Sequence, residues 1–115
     1  MNGNPNSRQK DWHNWLRDTG CAVTGASHPT IQHIKGARMR LKGVDGFAGE
    51  WYCYGLCFEY HLGNRHDSLA TSKRAFNSTW GSERNIWIKT IERYENQYGK
   101  KPMSEAEYKI IVDRA

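Results

Sequence analysis

Glycines at positions 36, 43, 46 and 49 fall within residues 35–49, interleaved with Lys35, Arg38, Arg40 and Lys42. Each glycine inside a helix costs about 1 kcal/mol relative to alanine, so helix is disfavoured in this stretch, which reads as a long basic loop. On one side of it Thr30-Ile31-Gln32-His33-Ile34 alternates and carries β-branched residues, as a short strand does. On the other side Trp51 to Leu56 is aromatic and strand-like, and supplies a pairing partner. Long loops inside compact domains are usually functional or disordered.

The flanks are helical. Residues 1–6 read as a disordered, flexible tail, and Ser7 can cap a helix that runs to about Thr19. Trp12, Trp15 and Leu16 share one face of it at i, i+3, i+4 spacing, and Gly20 stops it. After Leu56, Cys57 to Arg65 turns into a short helix or loop. Helical patterns follow from about Ser68 to Trp80 and from about Ser82 to Tyr98. Gly99 and Pro102 break the chain, and Ser104-Glu105-Ala106-Glu107 is a capping-box pattern opening a last helix to Asp113. Helix, strand, strand, then helices makes an α+β chain. The expected organisation is one domain over 7–115, with a ββα core at about 21–80 and C-terminal helices at about 82–113.

At 115 residues the chain has room for one small core. The apolar share is 37%, and five Trp and six Tyr compensate with large buried areas. Those tryptophans, 12, 15, 51, 80 and 87, are expected in the core. Lys plus Arg number 17 against 12 Asp plus Glu, for a net charge of +5, which attracts phosphate polyanions. No apolar run approaches the roughly 20 residues of a membrane span, and the first residues lack the apolar stretch of a signal peptide. A cytoplasmic location without membrane contact is the expectation. Cys21, Cys53 and Cys57 are an odd set, which fits free thiols or metal ligation better than a disulfide framework.

Two segments hold most of the chemistry. One is Gln32-His33-Ile34 at the end of the first strand. The other runs from Cys57 to Asp67 after the second, and carries His61, Arg65 and His66. Strand, loop, strand and a His-bearing helical segment would fold as a small ββα module holding a metal between strand and helix. Phosphodiester hydrolysis needs a deprotonated water and a cation that stabilises charge on the phosphate and leaving oxygen. His33 is suited to act as general base. His61 and His66 can hold a divalent cation. This reading requires the imidazoles of residues 33, 61 and 66 to share one pocket. Lys35, Arg38, Arg40 and Lys42 would grip backbone phosphates. Arg65 either touches the scissile phosphate or pairs with Asp67. His28, before Pro29, is expected in an exposed loop, and His13 has no evident partner.

Several pieces recur together in one family. They are Cys21-Ala22-Val23-Thr24-Gly25, Gln32-His33-Ile34, Gly55-Leu56-Cys57-Phe58-Glu59-Tyr60-His61, His66, and Lys73-Arg74-Ala75-Phe76-Asn77-Ser78-Thr79-Trp80-Gly81-Ser82-Glu83. In this order and spacing the chain resembles the HNH (His-Me finger) endonucleases. The likeness is to the phage recombination-enhancement (Ref-type) nucleases and related small prophage proteins, over roughly residues 20–98. The resemblance implies a ββα-metal core and metal-dependent cutting of single- or double-stranded DNA in phage recombination or DNA processing. It places the general base on His33 and metal ligands on His61 and His66. Its Ref-type members work with a RecA filament, which makes such a filament an expected partner.

The departures are specific. Gln32 stands where the family has the first His of a pair; its amide oxygen can still ligate a hard cation, so it joins the candidate metal ligands. Tyr60 replaces another His. Thr24 and Tyr60 interrupt both Cys-x-x-Cys pairs, which weakens the case for a structural zinc, although Cys21, Cys53 and Cys57 could still lie close together and stay candidate ligands for one. The native metal is left open among Mg2+, Mn2+ and Zn2+. The competing reading is a catalytically degenerate HNH-fold protein that binds DNA without cutting it.

Overall fold

Asn6 begins the first helix: its side chain accepts from the Gln9 amide, and the Gln9 side chain accepts from the Asn6 amide. The structure, a computed structural model, describes residues 4–35, 40–63 and 65–114. Helix α1 spans Ser7–Thr19, so the expected span holds while the cap is Asn6 and not Ser7. The amide side chain of Gln9 completes a reciprocal capping box that Ser7 is not placed to make. Gly20 ends α1 at φ +100°, and a Cβ there would meet the Gly25 and Ala26 carbonyl oxygens at 3.1 Å. Only glycine suits this turn.

Strands β1 (Thr30–His33) and β2 (Cys53–Leu56) pair antiparallel, with Thr30 opposite Leu56 and His33 opposite Cys53. The first strand thus stops at His33, one residue short of the expected Ile34. In the connecting loop Arg40 bridges Phe47, and a 3-10 turn forms at Ala48–Glu50. Arg38 lies outside the described residues. At Gly55 a Cβ would lie 3.3 Å or less from the Leu16 and Gly20 carbonyls and from Pro29. The missing side chain therefore lets β2 press against the end of α1.

Helix α2 (Phe58–His61) is one turn; α3 (Lys73–Trp80) and α4 (Glu83–Tyr98) follow, capped by Ser72 and Ser82. The third helix starts later than the expected Ser68, because the Ser68 hydroxyl donates to the Gly63 carbonyl and holds a turn there. The last helix, α5 (Glu105–Arg114), opens on the expected capping box, with Ser104 and Glu107 exchanging bonds of 3.0 Å. The described chain is α+β: helices around a two-stranded antiparallel sheet.

The core gathers Trp12 and Leu16 of α1, Tyr54 and Leu56 of β2, Phe76 of α3, Trp87 and Ile91 of α4, and Ile111 of α5 around Trp51. Trp12, Trp15, Trp51 and Trp87 are buried as expected, and Trp80 is half-buried. The Trp51 carbonyl accepts from two indoles, Trp12 Nε1 at 3.2 Å and Trp87 Nε1 at 2.8 Å. This satisfies two polar groups that burial would otherwise leave costly. No helix among the described residues is long and apolar enough to cross a membrane.

Candidate active site

The end of β1 carries His33, and the 3-10 turn before β2 carries Glu50. The Glu50 side chain is only 8% exposed, and its Oε1 lies 3.0 Å from His33 Nε2. An ionised carboxylate only accepts hydrogen bonds, so Nε2 carries the imidazole proton and Nδ1 keeps the lone pair. His13 enters from the buried face of α1. Its Nε2 donates to the Glu50 carbonyl at 2.7 Å and lies 3.6 Å from Glu50 Oε1. Cys53, the ladder partner of His33, donates its thiol to the same carbonyl at 3.5 Å. The two imidazoles meet edge to face with centroids 6.1 Å apart.

Among the described residues, His13, His33 and Cys53 form a group whose ligand atoms all lie within 4.8 Å of one another. Burial holds the His13 pKa below the ordinary histidine value, against the pull of Glu50. Burial, reinforced by the Glu50 charge, drives the Cys53 thiol far above its ordinary value.

The pleat turns Gln32 the other way, toward Glu83 at the start of α4. Glu83 is buried, and its Oε2 accepts from Gln32 Nε2 at 3.1 Å and from the Tyr54 hydroxyl at 2.8 Å. Lys73 Nζ stands 3.7 Å from its other oxygen. Burial and the Glu83 charge raise the Tyr54 pKa, so the phenol stays a donor. A cavity of about 330 Å3 opens here, lined by Gln32, His33, Lys35, Leu69, Lys73 and Glu83. It places an imidazole, two ammonium groups and a carboxylate around one opening.

His61 sits on α2, its Nδ1 2.6 Å from the Thr30 hydroxyl, which itself donates to the Leu56 carbonyl at 2.9 Å. With its one proton spent on Leu56, Thr30 accepts from His61 Nδ1–H, which leaves the lone pair on Nε2. Burial lowers the His61 pKa, with Glu83 opposing and His33 adding to the shift. His61 is thus neutral at pH 7 and within electrostatic reach of both groups.

Other expected site residues fall elsewhere. Neither His61 nor His66 lines the cavity, His66 is exposed, and His33, His61 and His66 do not form a three-ligand group. Their convergence in one pocket is therefore not what the fold provides. Arg65 pairs with Asp67, Nε to Oδ1 at 2.9 Å, and its guanidinium lies 4.7 Å from the Tyr60 ring centre. Of its two expected roles the ion pair is the one observed.

Lys35 reaches the cavity, whereas Arg40 lies over the Phe47 ring and Lys42 is exposed. The cysteines divide. The Cys57 amide donates to Cys21 Sγ at 3.3 Å, Thr24 donates to Cys57 Sγ at 3.7 Å, and Cys53 belongs to the His13–His33 group. All three are buried free thiols and not one zinc ligand set. His28 is exposed, as expected, at φ +59°.

Three residues of this region are not evident as such from the sequence: His13, Glu50 and Glu83. His13 shares the i, i+3 face with Leu16 beside Trp12, a position that signals burial. Glu50 is an acid directly before the Trp51 strand segment. Glu83 is a first-turn acid after the Ser82 cap, and only its burial sets it apart from an ordinary solvated one. Set against family models, curated proteins and solved structures, the chain matches none of them.

Proposed function

We propose that this chain is a metal-dependent endonuclease of the HNH type that hydrolyses DNA phosphodiester bonds with His33 as general base, and with a metal site other than the three-imidazole pocket that the motifs imply. The observation that carries this reading is the 3.0 Å His33–Glu50 pair at the edge of a cavity that also holds Lys35 and Lys73. Glu50 fixes the ring and its tautomer, so that Nδ1 can take a proton from water. Lys35 and Lys73 supply positive charge for a backbone phosphate. The order β1, loop, β2 and the helices beyond it fits a ββα core.

On the Glu83 side the cavity offers two oxygen donors to a divalent cation, the Glu83 carboxylate and the Gln32 amide, and its lining does not include His61. Gln32 spends its amide nitrogen on Glu83 and keeps its oxygen, and Glu83 supplies a buried carboxylate. Oxygen donors suit Mg2+ or Mn2+. Glu83 and Gln32, which line the cavity, would hold the ion, with Glu83 taking the place expected of His66. Such an ion supplies Lewis-acid stabilisation of charge on the phosphoryl and leaving oxygens. The resemblance in sequence motifs supports a setting in phage recombination or DNA processing, with a RecA-type filament as partner.

Nicking of supercoiled plasmid in Mg2+, Mn2+ or Zn2+, with and without RecA-coated single-stranded DNA, tests this. Metal-dependent nicked product that disappears in His33→Ala is expected. No product under any condition overturns the reading, and salt-sensitive DNA binding without cleavage would select the degenerate DNA-binding alternative.

A further inference from the structure

The cluster on the opposite side of His33 has a different donor chemistry. We infer that His13, His33 and Cys53 form a second, soft-metal site that takes Zn2+, and that zinc bound there occupies His33. Imidazole and thiolate are preferred zinc donors, and carboxylate is a third. Here two imidazoles and a thiol have ligand atoms within 4.8 Å of one another. The Glu50 carboxylate stands beside both rings, 3.0 and 3.6 Å away. A tetrahedral zinc sets its ligand atoms roughly 3.3–3.8 Å apart. The shift needed is on the order of 1 Å, within reach of side-chain rotation.

The three ligands stand on separate supports: α1, the end of β1 and the start of β2, the last two locked in register. Cys53 and His13 are buried, and His33 is 30% exposed, which gives an ion its way in. Charge also balances. The Cys53 thiol gives its proton to solvent as the zinc–sulfur bond forms, and thiolate plus Glu50 carboxylate neutralise the divalent ion. The imidazoles ligate in their neutral forms. No proton-accepting nitrogen of His33 is then free for a water while its ring is held by zinc and Glu50.

Zinc binding at these residues is independent of the proposed nuclease activity; only its effect on His33 rests on that reading. Co2+ titration of the metal-free chain tests the site through the thiolate-to-cobalt charge-transfer band. One Co2+ per chain with that band is expected, displaced by Zn2+ and lost in Cys53→Ala. The double variant Cys21→Ala/Cys57→Ala leaves Cys53 as the one thiol and keeps the band. It decides the matter even where Cys53→Ala does not fold. A missing band in the double variant, or a band that survives in folded Cys53→Ala, overturns the site.

For the effect on His33, stoichiometric Zn2+ is expected to stop Mn2+-dependent nicking by the native chain and to spare folded Cys53→Ala. Equal inhibition of both overturns that part. Absence of cleavage in every arm sinks the nuclease reading alone, and the cobalt spectrum still decides the site.

Discussion

His33 and Glu50 meet at 3.0 Å across a sequence separation of 17, with the whole basic loop between them. The two ends of the loop therefore meet at the base that it flanks. Replacing His33 with alanine is expected to lower the nicking rate by roughly 10²–10⁴-fold, the usual worth of a general base. Glu50→Gln keeps the bulk but loses the fixed charge, and is expected to cost about 10–100-fold, as removal of an orienting partner does. Initial rates with Mn2+ on supercoiled plasmid, with circular dichroism to verify folding, measure both. A Glu50→Gln protein as active as the native chain would remove the positioning role.

Lys35 and Lys73 face the same cavity as His33. Removing one cation that neutralises a phosphate of double-stranded DNA makes the slope of log K against log salt shallower by about 0.9. Lys35→Ala and Lys73→Ala should each show this reduction in fluorescence anisotropy titrations with duplex DNA. Lys42→Ala, on the exposed loop away from the cavity lining, serves as the comparison. Equal slopes for all the variants and the native chain would argue that the phosphates lie elsewhere.

The pH dependence of stability has a definite sign. Burial lowers the pKa values of both His13 and His61 below the ordinary 6.5. Between those folded values and 6.5 the unfolded chain binds more protons, so stability falls as the pH drops through this window. Urea midpoints in EDTA should decrease from about pH 7.5 to about pH 5, and His61→Asn should flatten part of that decrease. Glu107 adds a second, more acidic loss. Burial works against its ionisation, but Arg8 and the Ser104 and Asp45 amides outweigh it and depress its pKa below 4.5. Its contribution is present above 4.5 and disappears as the pH falls through the lower folded value.

Glu107 also joins distant parts of the chain. It accepts from Arg8 of α1 at 2.8 Å, from the Asp45 amide at 2.9 Å and from the Ser104 amide at 3.0 Å. Glu107→Ala leaves these donors without their acceptor and should destabilise the fold by about 2–3 kcal/mol. Urea denaturation at neutral pH checks this. Glu105→Ala, whose exposed carboxylate pairs with Lys101, should cost no more than about 0.5 kcal/mol.

Periodicity and capping chemistry made the helices readable. The span of α1 and the Ser104–Glu107 box follow from local rules, because their bonds lie within a few residues. The strand pair was readable from the glycine-rich loop between two β-rich segments. The site was readable only in part. His33 and Gln32 sit at a strand end that motif order can mark, and Lys35 follows directly. His13, Glu50 and Glu83 reach the site through contacts that span the fold, and no local pattern announces them. His66 shows the converse: its spacing fits a ligand, but the chain leaves it on the surface. The three cysteines separate for the same reason, since Cys53 and Cys57 lie four residues apart in sequence yet contact different groups.

The oxygen of Trp51 that receives both the Trp12 and Trp87 indoles sits next in sequence to Glu50. An early helix and a late one are thereby fastened to the residue adjoining the carboxylate that orients His33. Melting of either terminus by itself removes one tether and leaves the other in place. Alignment of the base is consequently a property of the whole cooperative unit, and should vanish in a single step with global unfolding.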